Sequence, residues 1–301
     1  MRMLPFISNP SRVLKSNGFC ISDFSSNDEN NLDQTTVYSF GNEWNKFNSF
    51  SEEDINTAGK QYFDLVKEEM VGKDKIALDL GCGSGRWSKY ISSRIGFIEA
   101  IDPSDSVYAA AGLLKECSNI RISKASSSNI PFADESFDFI LSLGVLHHIP
   151  DTLKAMQDAA KKLKKNGYFL IYLYYDLDNR GFFFRFIFNL STHLRKQISK
   201  LSPSWKNFTC DLIAVLVYLP LVLLSKFVSI FAKEQYKKLP LSYYVDKSFQ
   251  IIRNDALDRF GTPLEQRFTR EKIKEMMQKS GLSNIIFSEQ APYWHAIGTK
   301  A

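Results

Sequence analysis

The chain is expected to fold as an α/β protein around a parallel sheet, and three observations carry that expectation. Lys75 to Tyr90, KIALDLGCGSGRWSKY, reads as strand, tight turn and helix. Ile76, Ala77, Leu78 and Leu80 form an apolar run broken only by Asp79, glycines follow at 81, 83 and 85, and Trp87, Tyr90 and Ile91 begin a helix-compatible pattern. A second acid, Asp102, closes the next apolar segment about 20 residues beyond the glycines, where α/β nucleotide folds place a carboxylate that holds ribose hydroxyls. Further on, short apolar runs alternate with helical patterns, which implies parallel strands, right-handed crossovers and ligands at the carboxyl ends of the strands.

Taken in order, residues 1–35 are rich in Ser, Asn and Asp with little periodicity and are expected to form a mobile leader. Residues 36–70 carry five aromatics in VYSFGNEWNKFNSF, then a helix start in which Ser51 precedes Glu53 and Asp54, the helix running to Met70. Two readings of this region stand: a helix covering a sheet edge, or a cap of Phe40, Gly41, Glu43 and Trp44 over the ligand pocket. The core, 71–178, has strands at Ile76–Leu80, Ile98–Asp102, Ile120–Lys124, Phe137–Leu143 and Tyr168–Tyr174, with helices at Val107–Cys117 and Leu153–Leu163 and an Asn166-Gly167 turn before the fifth strand. Residues 179–240 form a hydrophobic and basic helical insertion. Residues 241–301 return to an amphipathic helix, Arg270–Ser280, ended by Gly281, and two strands near Ile285–Ser288 and His295–Gly298.

Composition narrows the function. A 301-residue chain with 44% hydrophobic residues has ample material for a core. Cys20, Cys82, Cys117 and Cys210 form no CxxC pair and no metal spacing with the four histidines, so neither a metal site nor a disulfide framework is expected, and a reducing cytosol fits. The apolar part of MRMLPFISNP is too short for a secretory signal. The net charge is +5, yet residues 180–238 alone hold ten Lys and Arg against two acids. A surplus so concentrated points to an anionic partner for that segment rather than for the whole chain. Leu212 to Leu224 is apolar except for Tyr218, contains Pro220 and is followed by Lys226. Three readings remain for the stretch to Ala232: a buried helical lid, a segment lying in a membrane surface, or a membrane span.

With DLGCGSG at 79–85, IDPS at 101–104 and LHHIPD at 146–151, the chain resembles the class I S-adenosylmethionine-dependent methyltransferases. A dinucleotide fingerprint would read G-x-G-x-x-G, whereas these glycines alternate and Arg86 takes the next place. Segments from SFGNEW through CDLIA, PLSYY and LDRFGTPLEQRFT to APYWHAIG resemble a bacterial subgroup of that class carrying this same insertion. The resemblance implies a Rossmann-like seven-stranded methyltransferase sheet with an α-helical insertion and S-adenosylmethionine as cofactor. By matching motif positions it implies that Gly81, Cys82, Gly83 and Gly85 approach the methionine portion, that Asp79 lies near its amino group and that Asp102 accepts from the ribose. Leu143 and Gly144 end the fourth strand beside the cofactor. Many relatives hold the adenine amine with a carboxylate after strand three; here Ser126 and Ser127 stand instead.

His147 and His148 are candidate general bases, because an imidazole titrates near neutrality; the alternative is that the pair only caps its turn. Candidate acceptor-contacting residues are Trp44, Tyr174, Tyr175, Arg180, Tyr243, Tyr244, Arg253, Arg267 and Trp294. The arginines suit a phosphate or carboxylate, unless Asp178, Asp258 and Glu265 neutralise them. The expected activity is O- or N-methylation of a small-molecule or lipid- or glycan-linked acceptor, in a cytoplasmic protein that is free or peripheral to the inner membrane. Against it stand a non-catalytic cofactor-binding scaffold or membrane adaptor, and a nucleic-acid methyltransferase. The last is disfavoured because the insertion is too apolar and no Asn/Asp-Pro-Pro-Tyr motif follows strand four.

Overall fold

The computed structural model describes residues 3–25, 30–46, 50–176, 181–232 and 235–301. In chain order its strands and α-helices are β1 (Arg12–Ser16), β2 (Phe19–Asp23), α1 (Gln34–Lys46), α2 (Glu52–Tyr62), β3 (Ile76–Leu80), α3 (Arg86–Ile91), β4 (Phe97–Asp102), α4 (Ser106–Leu113), β5 (Ile120–Lys124) and β6 (Phe137–Leu143). They continue with α5 (Thr152–Lys162), β7 (Leu163–Tyr172), α6 (Phe182–Ile198), α7 (Pro203–Ile213), α8 (Leu219–Phe231), α9 (Phe249–Gly261), α10 (Arg270–Lys279), β8 (Leu282–Phe287) and β9 (His295–Lys300). The chain divides into two compact units, Met1–Asn179 with Leu264–Ala301, and Arg180–Pro263.

The first unit is built on one nine-stranded sheet in the order β1-β2-β5-β4-β3-β6-β7-β9-β8. Its centre is parallel, β4-β3-β6-β7, and buried on both sides, which is why β3, β4 and β6 read as continuous apolar runs rather than alternating ones. One apolar layer, including Leu78, Ile140, Phe169, Met156 and Met277, lies under α5 and α10. The other, including Ala77, Ile98, Trp87, Val107 and Leu141, lies under α3 and α4. The glycine turn therefore sits at the carboxyl edge of the middle strand, with a packed layer on either side to hold it.

Four expectations change. Residues 12–23, expected as leader, form a hairpin whose second strand runs parallel to β5, adding two strands to the seven expected so that the sheet has nine. The signal was present: Asn17 and Gly18, both at positive φ (47° and 85°), join VLKS to FCIS, and Asn-Gly is a favoured two-residue hairpin turn. The helix begun at Ser51, whose Oγ accepts the Asp54 N–H at 3.0 Å, stops at Tyr62 rather than Met70. Beyond it Asp64 is drawn to Ser288 Oγ and His295 Nε2, both at 2.6 Å, partners more than two hundred residues away that no local pattern announces. The fifth core strand begins at Leu163. Asn166, at φ 62°, turns within it where the pairing with β6 slips between Phe137 and Phe139.

The second unit is helical. α7 and α8 are joined through a π-helical turn, Ala214–Tyr218, into one helix from Pro203 to Phe231. Pro220 has no N–H to return to the preceding turn, and a widened turn there is how the helix passes it. Lys206, Cys210, Ala214, Tyr218, Val222 and Ser225 form its buried stripe. α9 packs on this helix and on α6. Arg253 pairs with Asp211 of α7 through two bonds of 3.0 and 2.7 Å, and Arg259 donates to Ser191 and Thr192 of α6 at 2.7 and 2.8 Å. A lid buried on all sides is not what forms, since Leu216, Phe227, Ile230 and Phe231 are 60% exposed or more.

Candidate active site

The site grows from the turn after β3. Gly81, Gly83 and Gly85 all take positive φ (79°, 52° and 83°), a region open to glycine at no steric cost. The turn is pinned to the neighbouring strand, with the Gly81 and Cys82 N–H groups donating to Ile101 O at 2.8 and 2.9 Å. Gly83 N–H then donates to Asp102 Oδ2 at 3.0 Å, so the glycine turn after β3 is tied to the acid at the end of β4. Ser104 completes it, its N–H and Oγ meeting Asp102 Oδ1 at 2.9 and 2.6 Å.

Asp79 is wholly buried at the end of β3. Its Oδ2 accepts from Ser88 Oγ at 2.7 Å, and its Oδ1 has no hydrogen-bond partner. Burial, with Asp102 nearby adding to it, pushes its carboxyl up to about 7, against the opposing pull of the Ser88 bond. A buried carboxylate oxygen left open is costly unless something cationic or donating meets it.

α1 crosses these loops. A Cβ at Gly41 would stand 3.2 Å from the Asp105 backbone nitrogen, and one at Gly83 would stand 3.2 Å from Trp44 Nε1, so the indole covers the middle glycine. Arg86 lies over Trp44, Phe50 and Trp87 at 5.2, 5.6 and 4.4 Å, tying α1 to the start of α3. Of the serines after β5, Ser126 Oγ lies 2.9 Å from Ser128 Oγ, and Ser127 Oγ is buried without a partner.

After β6, Gly144 at φ 81° bonds through its N–H to Tyr172 O at 3.1 Å, and Leu143 is buried beside it. His147 is fully buried with neither ring nitrogen hydrogen-bonded, and its ring stacks on Tyr174 at 3.9 Å. Burial above all, then His148 and Arg267, hold it well below the usual imidazole value, so it stays neutral at neutral pH. His148 Nδ1 meets Leu264 O at 2.7 Å; since a carbonyl only accepts, Nδ1 carries the proton, and in the neutral ring Nε2 is the basic nitrogen. Phe40 of α1 packs edge-on against the same ring at 4.7 Å.

The acceptor candidates separate. Trp44 lies at the glycine turn and Tyr174 at the histidine pair, with Arg267 4.9 Å over the Tyr174 ring while pairing with Glu265 at 2.9 Å. Tyr175 faces the other way, as strand alternation dictates, and packs on Tyr293 and on Trp294, itself a core residue only 5% exposed. These two are scaffolding. Arg253 and Tyr243 belong to the second unit, the former paired with Asp211 and the latter under Lys247 and beside Tyr244. Arg180 lies outside the described residues, as does Asp178. Among the described residues no group of His, Cys, Asp and Glu is arranged to hold a metal ion. Sequence reasoning missed Ser88 and Ser104 as the partners of the two acids; only the place of Ser104 within IDPS hinted at one of them.

The model of the methyltransferase domain family matches residues 78–171, which span the glycine turn, Asp102 and the histidine pair. Residues 78–171 carry a methyltransferase domain. The domain is 28% identical over 130 residues to the uncharacterized methyltransferase YcgJ of Bacillus subtilis, covering 42% of this chain and 51% of that protein. It is 31% identical over 108 residues to demethylmenaquinone methyltransferase of Staphylococcus aureus, covering 34% of this chain and 44% of that one. The chain thus spans about half the length of the curated relatives it matches. The solved structure of YcgJ from B. subtilis aligns with 83% of this chain and 99% of its own, at 17% identity and a TM-score of 0.42. The methyltransferase domain accounts for the middle of the sheet, from β3 to β7.

Proposed function

We propose that the protein transfers a methyl group from S-adenosylmethionine to a small-molecule or lipid- or glycan-linked acceptor, by O- or N-methylation, in the cytoplasm. The observation that carries this reading is the cluster in which Gly83 N–H bonds Asp102 while buried Asp79 keeps one oxygen without a partner. The cofactor offers what that cluster lacks: an ammonium for Asp79 Oδ1, and ribose hydroxyls for the remaining lone pairs of Asp102. Ser127 Oγ, buried without a partner, suits a polar edge of the base. When bound, the cofactor supplies a methyl group on a sulfonium, open to in-line attack.

The protein's part in such a displacement is to hold the reactants in line and keep water out. Asp79 would hold the cofactor's amino group and Asp102 its ribose, and Trp44 covers the glycine turn. His148, held in one tautomer by Leu264 O, presents Nε2 as the base for an acceptor hydroxyl or amine. His147, neutral and stacked, braces Tyr174.

Calorimetric titration with S-adenosylmethionine and S-adenosylhomocysteine tests the reading. The intact protein should bind both. Asp102→Ala, which removes two or more charge-assisted bonds, should bind at least about thirtyfold more weakly, or about 2 kcal/mol. No binding by the intact protein would overturn the proposal. Lipid-linked sugars, which carry hydroxyl acceptors, are the first acceptors to try.

A further inference from the structure

The Pro203–Phe231 helix has two faces. One packs within its own unit, through Cys210, Ala214, Tyr218, Val222 and Ser225, at intervals of three and four residues. The other is apolar and open: Trp205, Phe208, Leu212, Leu216, Phe227 and Ile230 are 65%, 59%, 45%, 63%, 60% and 68% exposed. Over its most apolar eighteen residues the mean hydropathy is 2.3, and only 22% of that window is buried. An isolated surface leucine needs no explanation, but a stripe of large apolar side chains along 29 residues does.

Charge indicates what covers it. Exposed lysines flank the stripe, Lys196 and Lys200 before it and Lys237 after it, with Lys226 inside it. A lysine within an apolar face lays its stem on hydrocarbon and lifts its ammonium to the headgroups. Basic residues bordering such a face suit an anionic lipid surface. Two features set its orientation. The uncharged run from Leu212 to Ser225 spans about 21 Å, short of the roughly 30 Å of hydrocarbon a span must cross. A span would also draw in α9, which packs along the buried face and carries Arg253, Asp255, Asp258 and Arg259. A helix lying flat keeps α9 on the water side.

We propose that the exposed face of the Pro203–Phe231 helix seats this protein on an anionic membrane surface, the helix axis in the membrane plane and its aromatic and aliphatic side chains at the headgroup–acyl boundary. The proposal does not depend on the methyltransferase reading, and its failure would leave cofactor binding untouched. Together the two would bring the site to acceptors dissolved in lipid.

Flotation of the full-length protein with vesicles of phosphatidylcholine and phosphatidylglycerol tests it, beside vesicles of phosphatidylcholine alone. The protein should float with the anionic vesicles and be released by alkaline carbonate. Leu216→Glu/Ile230→Glu should weaken the association at least about tenfold, because apolar burial drives insertion. Lys196→Glu/Lys200→Glu, which leaves the apolar face intact, should weaken it on anionic vesicles only. Circular dichroism and S-adenosylhomocysteine binding show whether each variant is folded. Three results overturn the proposal: no flotation by the intact protein, retention through carbonate, which marks a span, or a dimer in lipid-free sedimentation that the Leu216→Glu/Ile230→Glu pair dissolves while flotation persists.

Discussion

Asp79 sets the most distinctive chemistry at the residue scale. Its carboxyl is carried from 3.8 to about 7 by burial, so the folded state binds a proton more tightly than the unfolded one. The stability this group contributes is complete below about pH 4 and is lost as pH rises through about 7, roughly 4 kcal/mol across that window. His147 acts in the opposite sense. Its folded value lies well below 6.5, so stability is lost as pH falls below 6.5 and the unfolded chain takes up a proton the folded one refuses. Chemical unfolding of the ligand-free protein between pH 4 and pH 8 checks both. Asp79→Asn, which can still accept from Ser88, should be the more stable protein at pH 8 and lose that advantage toward pH 4. His147→Phe should keep the stack on Tyr174 and flatten the decline below pH 6.5. The acid at the end of β3 was evident in the sequence. That it would be buried with one open oxygen was not, because Ser88 and the layers around it decide that.

Elements meet at positions where there is no room for a side chain. A Cβ at Gly59 of α2 would lie 2.2 Å from the Tyr90 ring of α3, so the two helices touch backbone to ring. Alanine is the better helix former by about 1 kcal/mol, but a contact that close must displace a ring also packed on Phe63 at 5.0 Å. The clash should win, and Gly59→Ala should cost about 1–3 kcal/mol in thermal or urea unfolding. The pattern around Ser51 announces the start of α2 because a cap is a local device. Its end depends on Asp64 reaching His295, and the pairing of β2 with β5 is likewise set far along the chain. The Asn17-Gly18 turn was legible in principle, and a polar composition around it concealed two strands.

Across the whole molecule, the proposed cofactor stabilises by linkage whatever unit binds it. At a hundredfold excess over its dissociation constant, S-adenosylhomocysteine should add about 2.7 kcal/mol to stability. Hydrogen exchange should show the gain in protection concentrated at Gly81–Gly85 and Asp102–Ser106, the two loops that Gly83 and Asp102 join. A rise in melting temperature with protection elsewhere and none at these loops would count against the site. Charge is divided along the same chain: ten basic and two acidic residues lie in 180–238, so the remainder is net acidic although the protein as a whole is +5.

By itself the sequence determined the alternation of strands and helices, the glycine turn, the two acids at strand ends and the basic, apolar insertion. Those features rest on spacing within a turn or two of chain and on composition, which act before any tertiary contact forms. Only the tertiary structure decided that the sheet has nine strands, that Trp44 covers Gly83, that Tyr175 and Trp294 belong to the core while Tyr174 stacks on His147, and that the long helix is half exposed. Burial and side-chain pairing depend on residues remote in sequence, and the faces they leave open are settled when the layers close.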